Sequence, residues 1–270
     1  MIGCRVRNGT GRSGQDDGVK QRVKGILKQL TDIISGWDRT SAVVAGEASK
    51  IETFDPYFTI DLDVYHRGDL LPSNDRRDRL GNPAGFETSP VYPVDRFLQD
   101  DLPVSISYKD VSRINLLLAR VEEQSWVFRR ESTELLYRIQ KGDVLYAKGK
   151  WFEEVRERLK TVPEGFWKEL MEATRFSLDY YLSGIGAAVY RGDNLFYQLS
   201  ASGFCRSLCS YVYAMNRQFE PTGRLLHEQI KRLETLPEEF LGRFESFIRP
   251  DAKLPPERKY EIAKLLAKSI

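Results

Sequence analysis

Histidine is almost missing from this chain: His66 and His227 are the only two in 270 residues. With three cysteines beside them, the sequence lacks the clustered nitrogen and sulfur ligands that a zinc site needs. Three cysteines also cannot make a disulfide framework. Cys205 and Cys209 are spaced i,i+4, so on a helix their Cβ atoms lie about 5–6 Å apart, beyond the roughly 3.8 Å that a disulfide wants. They read as small core residues in a reducing compartment, and the cytoplasm is expected. No apolar run reaches the ~20 residues of a membrane helix. The best stretch, FSLDYYLSGIGAAVY (Phe176 to Tyr190), is short and carries Asp179. No sign of charge dominates either. Lys and Arg total 41, Asp and Glu 39, for a net charge of +2. That balance does not indicate a protein built to hold nucleic acid through its phosphates.

The first eighteen residues, MIGCRVRNGTGRSGQDDG, lack the apolar core of a secretory signal. Their glycine-rich, polar composition predicts a disordered leader over 1–18. From Val19 the spacing of Val23, Ile26, Leu27, Leu30, Ile33 and Ile34 predicts a helix ending near Gly36. SAVVAG (Ser41 to Gly46) reads as a short strand. The segment 71–101 is rich in Pro, Asn and Asp and reads as a long functional or cover loop. LPVSISYKD (Leu102 to Asp110) alternates as a strand, with Ser105, Ser107 and Lys109 on one face. DVLYA (Asp143 to Ala147) is a further short strand. From Trp151 onward the pattern is helical, punctuated by Pro and Gly. The expected fold class is therefore α+β: a small mixed-sheet domain over 19–150, then an all-α bundle over 151–270.

One strand carries the chemical signal. In TFDPYFTIDLDVYHRGD (Thr53 to Asp69), Phe58, Ile60, Leu62 and Val64 share one parity, while Asp61 and Asp63 share the other. A strand therefore sets two carboxylates side by side on its open face. Asp is a poor strand former, and neighbouring carboxylates repel unless a cation lies between them. A solvated edge tolerates such a pair; a divalent metal explains it. On repulsion alone, Asp61→Asn or Asp63→Asn should leave the metal-free protein as stable as before, or slightly more so.

The order helix, strand, Gly turn, Asp-x-Asp strand, long segment, third strand resembles the nucleotidyltransferase superfamily, the polymerase-β-like fold. The motif here is Ala45-Gly46-Glu47, a spacer, then Asp61-Leu62-Asp63-Val64. The helical second half is similar to the bundles that follow this core in bacterial members. Arg224, shortly after Pro221, matches a basic position in their C-terminal helix pair. The resemblance implies that Asp61 and Asp63 hold Mg²⁺ as metal ligands and catalytic residues. It places Gly46, Glu47 and Arg224 at the nucleotide. It implies transfer of NMP from an NTP, ATP foremost, to an unknown hydroxyl-bearing acceptor, with the metal stabilising the attacking and leaving oxygens.

Two departures qualify the motif. Glu47 stands where the family usually has Ser. Ser105 and Ser107 occupy the face where a third carboxylate is expected, and Asp110 falls on the opposite parity. A serine is neither an anionic metal ligand nor a general base near neutral pH. The alternative is a non-catalytic nucleotide-binding or partner-binding, antitoxin-like module that has lost the third carboxylate.

Overall fold

The structure is a computed structural model, and the residues it describes are 12–46, 57–89, 91–123 and 132–270. They fall into two units. The first holds the described residues up to Leu118 together with Arg138–Lys160; the second holds those of Ala119–Tyr137 together with Thr161–Ile270. The division is thus not a single break after Lys150. The chain leaves the first unit, enters the second, and comes back to supply one more strand and helix before leaving again.

The first unit opens with α1 (Arg12–Ser35), which begins inside the segment expected to be a leader. Gly18 lowers helix propensity by about 1 kcal/mol relative to Ala without ending the helix. Strands β1 (Thr40–Ala45) and β2 (Ile60–His66) follow, then α2 (Ser73–Arg79), β3 (Ala84–Thr88), β4 (Val94–Gln99) and β5 (Leu102–Asp110). After α3 (Val111–Glu122) and α4 (Glu134–Lys141) come β6 (Asp143–Ala147) and α5 (Trp151–Lys160). The six strands make one mixed sheet in the order β3-β4-β5-β2-β1-β6. Only β2 and β5 run parallel; every other neighbouring pair is antiparallel.

Alternation decides which side chains are covered. Val43, Ile60, Leu62, Val64, Val104 and Ile106 lie on one face and pack with Val23, Ile26, Leu30 and Ile34 of α1. On the other face Tyr65 lies against Trp151 and Phe152 of α5, with ring centroids 5.8 and 5.1 Å away. β2 is central and almost wholly buried. Its Asp-bearing face is therefore not the open or edge face that alternation alone suggests.

The segment 71–101 is not a loop. It holds α2, β3 and β4, and it hides a charged core. Arg76 forks onto Asp95, with Nε to Oδ2 and Nη2 to Oδ1 both 2.7 Å, and Tyr108 Oη donates to Oδ2 at 2.8 Å. Asp95 takes a core position in its strand, so hydrophobic periodicity does not mark the strand out. β3 has no fully buried residue, which removes alternation there as well.

The second unit contains α6 (Glu164–Arg191), α7 (Asn194–Met215), α8 (Leu226–Ile230), α9 (Phe240–Ile248) and α10 (Pro256–Lys268). Gly192, left-handed at φ 65°, ends α6, and the Asp193 side chain accepts the Phe196 N–H to start α7. This tight connection folds the two helices antiparallel. Gly203 then lies against the Tyr181 ring, where a Cβ would come within 2.3 Å of it. Leu178, Ile185, Phe204, Leu208, Phe240 and Leu266 are at the centre of this unit's core. Within the run from Trp151 that is expected to be helical, the segment TGRLLHEQIKRLE (Thr222 to Glu234) forms only the five residues of α8, flanked by tight turns at Thr222–Leu225 and Gln229–Arg232. Among the described residues no helix is long and apolar enough to cross a membrane.

Candidate functional site

The parity of β2 does bring Asp61, Asp63 and Tyr65 onto one face. The parallel register sets them opposite Ser105, Ser107 and Lys109 of β5, in that order. Asp61 is half-buried and Asp63 fully buried. Sequence parity alone thus anticipates both the serines beside the carboxylates and the presence of Lys109 on their face.

The decisive neighbour comes from elsewhere. Arg138 of α4 reaches Asp63 with Nε to Oδ2 at 2.8 Å and Nη2 to Oδ1 at 2.8 Å. Lys109 Nζ lies 3.2 Å from Oδ1. The Asp63 side chain is 1% exposed, Arg138 18% and Lys109 20%. A bidentate guanidinium–carboxylate pair is among the strongest polar contacts in proteins. Burial works against the charge of Arg138, but the charge and hydrogen bonds of Asp63, with the charge of Asp61 behind them, outweigh it and raise its pKa. Sequence gives little signal for this role: ELLYRIQK is an amphipathic helix on which an arginine looks solvated.

Gly46 lies directly after β1 and beside the same cluster. A Cβ there would meet Asp61 Cβ at 3.3 Å and Arg138 Nη2 at 3.4 Å, so the backbone does come close to the charged groups. Its N–H, however, donates to the Asp61 carbonyl at 2.9 Å, continuing the β1–β2 pairing. The Gly46 amide is thus spent within the sheet. Glu47 lies outside the described residues. Arg224 belongs to the second unit, exposed in the turn before α8.

Among the described residues, neither Tyr65 nor Asp110 is placed to replace the base. Tyr65 is fully buried, and burial first, then the Asp63 charge, pushes its pKa well above the usual phenol value. Asp110 caps α3. Its Oδ1 accepts the backbone N–H of Ser112 at 2.6 Å and of Arg113 at 3.4 Å, and the Ser112 hydroxyl as well. That hydroxyl contact foremost lowers the Asp110 pKa. Asp110→Ala should therefore cost about 1 kcal/mol, the ordinary worth of an N-cap. Because the folded pKa is depressed, the charged cap's contribution is complete above the ordinary carboxylate pKa of about 3.9. It is lost as pH falls through the folded value. Thermal unfolding of both proteins along a pH series checks this; a gap that stays constant into acid would rule out the charged cap.

A divalent metal does not fit these residues as they are arranged. Both Asp63 oxygens are held by cations, and the neighbouring strand face offers hydroxyls. Among the described residues no group of three His, Cys, Asp or Glu side chains could hold a metal ion. His66 ends β2, its Nδ1 2.9 Å from the Gly68 carbonyl oxygen. Cys205 and Cys209 are free thiols in the second unit. Burial pushes the Cys205 thiol up to about 12 and that of Cys209 higher still, as expected of core residues.

Comparison with known proteins gives a family model and similar solved structures. Residues 128–224 match a family model described as "Domain of unknown function (DUF4037)". No curated protein matches the sequence. The crystal structure of a nucleotidyltransferase-like protein from Exiguobacterium sibiricum 255-15 is similar over 93% of this chain and 73% of that chain, at 12% identity and a TM-score of 0.44.

Proposed function

We propose that this chain is a binding module with a nucleotidyltransferase-like face that does not itself transfer nucleotides. The observation that carries the reading is Asp63, buried and held on both oxygens by Arg138 with Lys109 beside it. Metal-clamped transfer needs anionic ligands open to the ion and to the substrate phosphates. Here the central ligand is neutralised from within the fold. The serines at 105 and 107, and the Gly46 amide spent on Asp61, support the same reading.

A second reading, Mg²⁺-dependent transfer of NMP from an NTP to a hydroxyl acceptor, is favoured by Asp61, half-buried beside Gly46. It requires Arg138 to give up Asp63. One experiment separates the two. The purified protein is incubated with each α-³²P-labelled NTP, ATP first, with Mg²⁺ or Mn²⁺, together with hydroxylated small molecules, RNA ends and protein acceptors. No transferred label is expected, and any nucleotide-dependent rise in melting temperature should be the same in EDTA. Label transferred in a metal-dependent way, and lost in Asp61→Asn, would establish the second reading instead.

A further inference from the structure

We infer that the guanidinium of Arg138 is the resident cation of the Asp61/Asp63 face, standing where a metal ion would otherwise bind and excluding it. The inference rests on the non-transferring reading above and supplies its cause. Two carboxylates on one strand face need a positive charge near them. The fold provides it covalently. Arg138 bonds both oxygens of Asp63 and lies in the field of Asp61, and Lys109 adds a second positive charge. Among these described residues, two carboxylates face two cations. A third carboxylate in place of Ser105 or Ser107 would upset that balance, so the serines and the arginine form one consistent design.

The arginine is also held from behind. Arg138 ends one turn before Gly142, whose N–H donates to its carbonyl at 2.9 Å. A Cβ at Gly142 would come within 2.6 Å of that carbonyl and 2.5 Å of Val44 Cγ1, so α4 is pressed against β1 at this point. Arg156 of α5 pins the same junction, with Nε donating to the Ile139 carbonyl at 2.9 Å and Nη2 to that of Gly142. A surface arginine loses much side-chain freedom on pairing. One placed by a tightly packed turn is already positioned, and a hydrated Mg²⁺, which sheds water reluctantly, competes poorly with it.

The test uses Mn²⁺ as the probe, followed by the loss of free-ion signal in electron paramagnetic resonance and by calorimetry, with Mg²⁺ as competitor. Wild type should show no Mn²⁺ site that depends on Asp61. Arg138→Gln should gain one, with binding at least tenfold tighter than wild type, abolished in Arg138→Gln/Asp61→Asn. Its melting temperature should rise with Mn²⁺ while that of wild type does not. Arg138→Lys, which keeps the charge, should behave as wild type. A folded Arg138→Gln that binds no Mn²⁺ would overturn the inference and leave the absence of transfer to be explained otherwise. Wild-type Mn²⁺ binding that Asp61→Asn removes would overturn it as well, and this arm decides the matter should Arg138→Gln fail to fold. Label transfer by wild type is a separate result and strikes the functional reading itself.

Discussion

Asp63→Asn is expected to destabilise the protein by about 3–5 kcal/mol, the usual consequence of removing one partner from a buried ion pair. The amide keeps the volume and one acceptor oxygen, but it leaves Arg138 and Lys109 mostly buried without the charge that they contact directly. This reverses the expectation from carboxylate repulsion, which treats Asp61 and Asp63 alike. The structure separates them. Asp61→Asn should change stability little, because Asp61 is only half-buried and Asp63 retains its cations. Urea unfolding at neutral pH measures both. A double-mutant cycle with Arg138→Met should give a coupling above about 1 kcal/mol, since the two groups are in direct contact. A loss below about 0.5 kcal/mol in Asp63→Asn, the ordinary range for a surface change, would mean that the pair does not exist in solution.

Arg76→Met should produce a loss of similar size, about 3–5 kcal/mol, for the same reason in a different place. Asp95 is completely buried and accepts two hydrogen bonds from Arg76 and one from Tyr108. Arg76 also donates to the Leu71 carbonyl and, at 3.0 Å, to Thr88 Oγ1, and its guanidinium lies 4.9 Å from the centre of the Tyr108 ring. It ties α2 to three strands. Burial, and next the charge of Asp95, raise the Tyr108 pKa well above its ordinary value, so its hydroxyl remains a donor at working pH. Tyr108→Phe removes one charge-assisted hydrogen bond and should cost less, roughly 1.5–3 kcal/mol. The order of the two losses in urea unfolding is the check. A larger loss in Tyr108→Phe would show that Arg76 is not what holds Asp95.

Much of the first unit is legible in the sequence because period two is a local property. It places Asp61 and Asp63 together, puts Ser105, Ser107 and Lys109 on the matching face, and marks β1, β5 and β6. The cluster's main cation is not legible, for a topological reason. Arg138 and Asp63 are 75 residues apart, and they meet only because β6 joins the sheet beside β1 and carries the end of α4 with it. Nothing in either segment encodes that neighbour. The segment around β3 and β4 is hidden for a chemical reason: its core position is Asp95, satisfied by a buried arginine, and apolar patterning cannot detect a charged core. α8 is overestimated because an apolar spacing persists through residues that the backbone turns twice.

The return of the chain to the first unit has a consequence for inheritance. A domain that is one continuous stretch can be copied, moved or lost by a single genetic exchange. Here no single cut does so. An exchange anywhere between Leu118 and Arg138 would carry off β1, β2 and β5 without β6 and without the arginine that Asp63 needs. The second unit is bound by the same arrangement, since Thr133 Oγ1 accepts the backbone N–H of buried Glu220 at 2.9 Å from across the excursion. The two units are therefore expected to descend together, and a recombinant that takes only one of them inherits a sheet with bare carboxylates or a bundle missing an internal hydrogen-bond acceptor.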